Sequence, residues 1–458
     1  MNLLRKIVGV DDIAAYVPKL YVDAEELAEE RGIPPSKLTR GLGIEKLAIP
    51  DAHEDAATMA AMATLELMER NDLSPKDIDF IQVATETGPD AAKPISCYVQ
   101  GMLEQIYGRG SFDHVGAPET KFACVGATYA MIDRLAYIAS GWNQAEYSIV
   151  VATDIARYEL NSSGEPTQGA AAVALLLKED PRLLAYEPEF TGFGTVDDRD
   201  FFRPVERKTA VVDGQYSIGC YLRDMRIAAD AYKQNMLKLG VLKSPKESVV
   251  DKIDLASFHS PFPKMVQYAF ASFLIHDWRG LPKWKKILEA IGPEPSRKGL
   301  TDVEFYISDE YKNFRRKFVK TEEFQREYKN KIENSLRALR QIGNSYTASV
   351  WLGVESHFEM MTGDLVGKRF GIGSYGSGSS AIVCSFIVQP DYKEVAKKMN
   401  LMHKLSQRKR ISIDVYEDLH EGRLKLHESV IPPKNEFTLV SFGSQSHDYG
   451  YRYYKYVG

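Results

Sequence analysis

Apolar and polar positions follow two rhythms along the first 180 residues. Short β-rich runs, IDFIQVAT at 78–85 and YSIVVAT at 147–153, are separated by longer stretches of helical composition. That alternation predicts an α/β sheet with helical cover. The stretch from Asp55 to Arg70 is rich in Ala, Met and Leu, and its acidic start DAHED suits a helix N-terminus. A second apolar helix begins near Cys124 and ends at Gly141. The same grammar returns in IDLASF (253–258), FGIGS (370–374) and AIVCSFIV (381–388), which read as buried strands. The two halves are expected to share an architecture, although no residue-level repeat carries that expectation.

Between Trp278 and Gln341 the pattern changes to helix-forming runs densely charged with both signs, such as EYKNFRRKFVKTEEFQREYKNK. Acidic residues interleave throughout, so this segment reads as a solvated helical insertion and not as a nucleic-acid surface. The C-terminal SQSHDYGYRYYKYVG holds five tyrosines. Alternating aromatics without a basic groove predict a terminal strand.

Composition adds exclusions. The 458 residues are 44% hydrophobic and 26% charged, which is globular and long enough for more than one core. With 58 Lys and Arg against 63 Asp and Glu, the net charge of -5 offers no general field for nucleic acid. The opening MNLLRKIVGVDDIAAYVP meets acidic residues after a few apolar ones, unlike a signal peptide, and no run approaches membrane-spanning length. Cys97, Cys124, Cys220 and Cys384 stand far apart, with no CxxC pair, so neither a metal site nor a disulfide framework is expected. The expected setting is the cytoplasm.

Four segments carry candidate chemistry. In KFACVGATYAMIDRLAYIASG, Cys124 stands at the mouth of an apolar helix beside small residues. The helix N-terminus is expected to lower its pKa toward neutrality and make it a nucleophile, although a buried structural thiol fits the same letters. In FHSPFPKM, His259 directly follows an apolar strand, as an acid/base histidine or a hydrogen-bonded structural one. In VATETGPDAAK, Glu86 lies just past a buried strand, where a partly dry carboxylate gains a raised pKa and can act as a general base. RFGIGSYGSGSSA is a strand entering a glycine-rich turn. It satisfies no phosphate-loop pattern, but its backbone N–H groups can face an acyl oxygen.

In this order, these segments resemble the 3-hydroxy-3-methylglutaryl-CoA synthase family of the thiolase superfamily. GLGIEKLAIPDAHED resembles the family's opening, VATETGPDAAK its glutamate loop and KFACVGAT its cysteine segment. ATDIARYELNSSGEPTQGAAAVALL, FFRPVERKTAVVDGQYSIGCYL, FHSPFPKM, GNSYTASVW and GSYGSGSSA follow at similar spacing. The resemblance implies a duplicated thiolase-like fold, a five-layered αβαβα core. Residues 1–180 would form the half that carries Glu86 and Cys124. Residues 181–458 would form the half that carries His259, with the charged insertion at about 278–341.

It also implies roles in the mevalonate pathway of isoprenoid biosynthesis. Cys124 would take an acetyl group from acetyl-CoA, Glu86 would deprotonate its methyl, and His259 would polarise the ketone of acetoacetyl-CoA. Water would then release 3-hydroxy-3-methylglutaryl-CoA. Asn344 and Ser377 match positions that hold the acyl and ketone oxygens. Tyr158, Thr167 and Asp200 match the pocket lining, with Asp200 one layer further back, and Lys264 would meet CoA phosphates as a point charge. No cofactor or metal is implied beyond the thioester substrates. A homodimer is expected, and an acetoacetyl-CoA thiolase is a compatible partner.

Two departures alter the pocket walls. Gly373 stands where the family often has Phe, and Val125 where it often has Tyr. The competing readings are a β-branching relative that acts on carrier-protein-bound polyketides, a decarboxylative ketosynthase, and a non-catalytic scaffold. Lys264 argues against the first, Glu86 against the second, and the intact Glu86, Cys124 and His259 against the third.

Overall fold

Along Gly169–Glu179, alternate residues face different helix layers, and this two-sided burial organises the molecule. The computed structural model describes residues 6–207 and 209–458. The first five residues of the N-terminal stretch, and Lys208 within FFRPVERKT, lie outside it. The first half runs β1 (Val8–Tyr16), α1 (Ala56–Arg70), β2 (Ile78–Ala84), α2 (Ile95–Tyr107), β3 (Glu119–Thr120), α3 (Gly126–Ser140), β4 (Tyr147–Ala156) and β5 (Gly169–Glu179). The second half runs β6 (Leu184–Tyr186), β7 (Gly192–Thr195), α4 (Gly214–Lys238), β8 (Leu255–Phe258) and α5 (Pro263–Trp278). An insertion follows, containing α6 (Pro282–Ile291), α7 (Asp302–Ile307), α8 (Asp309–Phe318) and α9 (Glu322–Lys331). The half closes with α10 (Ser349–Met360), β9 (Arg369–Gly376) and β10 (Ser380–Val388).

The strand order reveals the duplication that the residues conceal. In the first half the order across the sheet is β3-β2-β4-β5-β1, parallel through β4 and antiparallel after it. In the second it is β8-β9-β10-β6, with β8 and β9 parallel and the rest antiparallel. Among the described residues this is the same order without a counterpart of β3, in the part of the chain where the insertion sits. A short antiparallel ladder, Gly9 to Ala185 and Val10 to Leu184, joins the halves into one ten-stranded sheet.

Five layers follow from which face each element covers. Ala170, Ala172, Ala174 and Leu176 of β5 pack with α1 and α2, while Ala171, Val173, Leu175 and Leu177 pack with α3. Helix α3 reaches the second half as well, where Thr128 donates a hydrogen bond to Ser374 of β9 at 2.9 Å. Helix α10 lies on the inner side of β8, with Ser257 Oγ bonded to the Val350 carbonyl at 2.8 Å. Helix α4 covers the outer face. It approaches so closely that a Cβ on Gly192 would stand 2.1 Å from the Ala228 carbonyl oxygen.

Local signals account for the ends. Asp55 caps α1 through the N–H groups of Ala57 and Thr58, and Gly141 ends α3 in the left-handed region at φ 75°. The C-terminal strand Arg452–Val457 pairs antiparallel with Glu436–Phe442, and the Tyr454 hydroxyl bonds Asp55 at 2.7 Å.

The insertion corrects the sequence reading. Its outer face is solvated, but its inner face is an aromatic cluster in which Trp284, Phe314, Phe318 and Phe324 are buried. Charged residues between the aromatics hide this amphipathic pattern from a composition-based reading.

Candidate active site

The ends of two strands and the start of a helix converge on one place. Glu86 lies two residues past β2, Cys124 two residues before α3, and His259 immediately after β8. The Cys124 thiol donates to Glu86 Oε1 with Sγ 3.3 Å away. Cys124 and His259 line a common cavity of about 1020 Å³, together with Tyr158, Thr167, Lys264, Asn344 and Ser377. Glu86 opens onto a second cavity of about 340 Å³, which shares Phe201, Tyr346 and Ser377 with the first. The sulfur therefore stands between the carboxylate and the large cavity.

One network fixes this arrangement. Asp154, fully buried on β4, accepts from the Glu86 N–H at 2.9 Å, from the Thr85 and Thr87 hydroxyls at 2.9 and 2.7 Å, and from the Thr347 N–H at 3.2 Å. The Thr347 hydroxyl in turn accepts the Ala127 N–H at the start of α3, at 2.8 Å. The glutamate loop, the cysteine helix and the GNSYTASVW segment are thus tied through one carboxylate. Ala123 and Tyr346, next to these anchors, hold φ of 39° and 45°, a backbone conformation that non-glycine residues rarely adopt and that clusters at functional sites.

The expected lowering of the Cys124 pKa is not what the structure shows. Burial, and then the charges of Glu86 and Asp154, push the thiol well above its ordinary value. The helix start cannot offset this, because its N–H groups are already engaged. Ala127 bonds Thr347, while Val125 and Gly126 bond the Phe122 and Ala123 carbonyls. The resting group is a protonated thiol that donates to Glu86. The Glu86 carboxyl is itself raised, first by burial and then by the Asp154 charge. A raised carboxylate is a stronger base, as proton abstraction from carbon requires.

His259 is fully buried, and burial lowers its pKa to about 3, so the ring is neutral at physiological pH. Ser349 fixes its tautomer. The Ser349 oxygen accepts the Ser260 N–H at 3.2 Å and lies 2.7 Å from His259 Nδ1. Among the described residues the acceptor for its hydroxyl proton is Nδ1, which leaves the ring proton on Nε2 as a donor. The His259 backbone is held by its N–H to the Gly373 carbonyl and by the Tyr221 hydroxyl on its own carbonyl, both at 2.8 Å.

The remaining sequence candidates fall into two groups. Tyr158 and Asn344 adjoin the reacting groups: Asn344 Oδ1 accepts the Tyr346 N–H at 2.9 Å, and the Tyr158 phenol oxygen is bonded by the Tyr346 and Asn344 side chains. Thr167 meets Asn344 through its carbonyl at 2.9 Å. Asp200 is buried behind the wall, where it accepts from Tyr375, Ser217 and the Gly378 N–H at 2.8, 3.0 and 2.8 Å. It positions the glycine-rich turn that carries Ser377. Sequence reasoning missed Asp154, Thr347 and Ser349. All three lie in the quoted segments ATDIARYE and GNSYTASVW, but only the fold shows what they touch.

The two departures have a packing explanation. Gly373 pairs with Phe258 across β8 and β9, and a Cβ there would stand 2.4 Å from the Phe258 ring. The neighbouring strand thus fills the volume that a side chain at 373 would need. Gly376 lies against Val125, where a Cβ would fall 2.7 Å from its Cγ1, so the turn can approach the cysteine loop only without a side chain.

Comparison with known proteins gives the same answer along the whole chain. Residues 4–181 match the family description "Hydroxymethylglutaryl-coenzyme A synthase N terminal", and residues 185–444 match the corresponding C-terminal description. The chain is 34% identical to a hydroxymethylglutaryl-CoA synthase of Haloferax volcanii, covering 98% of this chain and 99% of that protein. It is 30% identical to the Schizosaccharomyces pombe protein of the same name, covering 93% and 92%. Among solved structures, MvaS in complex with 3-hydroxy-3-methylglutaryl coenzyme A superposes with a TM-score of 0.84 at 33% identity, covering 99% of this chain and all of that one. An HMG-CoA synthase complexed with CoA superposes at 0.74 and 27% identity, covering 98% and 100%. Two family descriptions that meet between β5 and β6, on a sheet whose halves repeat one strand order, leave a single assignment: the chain belongs to the hydroxymethylglutaryl-CoA synthase family of the thiolase superfamily.

Proposed function

We propose that this chain condenses acetyl-CoA with acetoacetyl-CoA and water to give 3-hydroxy-3-methylglutaryl-CoA and CoA, through an acetyl group carried on Cys124. The observation that carries the reading is the 3.3 Å contact between Cys124 Sγ and Glu86 Oε1, beside a cavity that also holds a neutral His259. The sulfur attacks the acetyl-CoA carbonyl, and the departing CoA sulfur leaves with the thiol proton. Glu86 then takes a proton from the acetyl methyl, which the thioester has acidified. The resulting carbon attacks the acetoacetyl ketone while His259 Nε2–H donates to the developing oxyanion. Positioned proton transfer of this kind contributes roughly 10²- to 10⁴-fold to rate. Water finally attacks the enzyme thioester: the carbon–sulfur bond breaks, Sγ takes the proton held by Glu86, and the two water protons pass to the tertiary oxyanion and to solvent, leaving a hydroxyl and a carboxylate.

In the cell, we place the chain as a cytoplasmic homodimer that supplies the mevalonate pathway. Its four cysteines are free, which fits a reducing compartment. The sheet ends at β3, leaving an edge strand for a second copy.

Brief mixing with acetyl-CoA followed by mass spectrometry tests the proposal. Wild type should gain one acetyl group on Cys124, Cys124→Ser none, and Glu86→Ala the acetyl group without any later condensation. An unmodified wild-type cysteine under turnover conditions would refute the nucleophile. Turnover only with carrier-protein thioesters would replace the substrate class.

A further inference from the structure

Arg203 follows a short hairpin, Phe201–Phe202 against Val211–Val212, whose Phe201 lines both cavities. The Phe201 ring meets Tyr346 edge-on, with 5.9 Å between centroids. Beside it the exposed Arg203 guanidinium donates from Nη2 to the Glu86 backbone carbonyl. A side chain from a distant part of the sequence thus holds the loop that carries the base. Its charge bears on the same residue. Burial raises the Glu86 carboxyl, as do the charges of Asp154 and Asp200, while the Cys124 thiol and the Arg203 charge act against the rise. Lys121 and Arg157, the other cations lining the smaller cavity, act on Glu119 and on Glu421 and Glu159. The Tyr158 and Tyr346 phenols, raised first by burial, are neutral.

The balance around Glu86 changes during the reaction. In the resting protein the thiol proton supports the carboxylate across 3.3 Å. That proton departs with CoA when an acetyl group bonds to Sγ, and a thioester has none to donate. The support is withdrawn at the step in which the methyl proton must be removed. We infer that Arg203 is a positioning residue for the base: it holds the Glu86 loop by its backbone carbonyl and supplies the positive charge that the carboxylate needs once acetylation has removed the Cys124 proton. The inference rests on the proposed function, which makes Cys124 the acetyl carrier and Glu86 the base. A guanidinium suits the task because it stays charged at every working pH.

Preformed acetyl enzyme, mixed with acetoacetyl-CoA over a series of pH values, tests the role. Arg203→Met should be acetylated at the wild-type rate, but its condensation rate should reach the plateau at higher pH. Below the plateau the loss should be roughly two- to fivefold, the range of an exposed charge pair, with little loss on the plateau itself. Arg203→Lys, which keeps the charge, should recover most of the profile. Infrared difference spectroscopy of the full chain in D2O follows the protonated carboxyl band that Glu86→Gln removes. In wild type, acetylation should make that band persist to higher pH, and Arg203→Met should carry it higher still. A band that ignores acetylation, or a profile and band that ignore Arg203→Met, would overturn the inference. So would a uniform loss across pH or a slowed acetylation, which mark a structural role. A wild type that is acetylated but does not condense would refute the proposed reaction alone, because the infrared titration still decides Arg203. A wild type that takes up no acetyl group would refute both.

Discussion

Ser349→Ala removes one hydroxyl and isolates the part of the site that sets the histidine tautomer. In the native structure the Ser349 oxygen accepts from Ser260 and its proton goes to His259 Nδ1 at 2.7 Å. Alanine loses a neutral hydrogen bond worth about 1 kcal/mol net, and it leaves the buried Ser260 N–H without an acceptor, which costs about 1–3 kcal/mol. If only the tautomer bias enters the barrier, the condensation step slows roughly fivefold; if the whole loss does, it slows on the order of 100-fold. Acetylation does not use His259 and should keep its rate.

Single-turnover quench separates the steps: acetyl enzyme is formed first, then mixed with acetoacetyl-CoA, and the product is followed by chromatography. Because burial holds the His259 pKa at about 3, neither enzyme should show a histidine inflection near the ordinary value of about 6.5. Equal slowing of acetylation and condensation would refute the tautomer argument, because a general structural lesion predicts that pattern. An unaffected condensation step would refute it as well.

Two further outcomes are expected. The Glu86 carboxyl is raised, first by burial and then by Asp154, and the reacting form is the ionised one. The condensation rate should therefore climb about tenfold per pH unit below the raised pKa and level off above it, so stopped-time assays showing a plateau from pH 5 upward would contradict Glu86 as the base. Arg31 Nε and Nη2 hold the buried Glu165 at 3.0 and 2.8 Å, and Glu165 also accepts from Tyr416 at 3.0 Å beneath the Tyr158 loop. Arg31→Met strands that carboxylate and should cost about 3–5 kcal/mol in urea unfolding, whereas a loss below about 1 kcal/mol would class the pair as a surface bridge.

Much of this protein is written locally. The two rhythms of apolar residues, Asp55 at the head of α1 and Gly141 at the end of α3 determine elements that fold into place, because side-chain period and caps act over a few residues. The order of the quoted segments likewise identified Glu86, Cys124 and His259 as the residues to watch. What the letters could not hold was everything that depends on burial and distance.

Cys124 stands before a helix in either description, yet its thiol is raised, because tertiary packing dries it, places two carboxylates nearby and engages the helix N–H groups. Gly373 reads as a missing side chain until Phe258 is found in its space. Arg315 reads as one charge among many until the fold buries it over the Tyr268 ring. Desolvation and electrostatic partnership are sums over neighbours distant in sequence, so only the folded chain decides them.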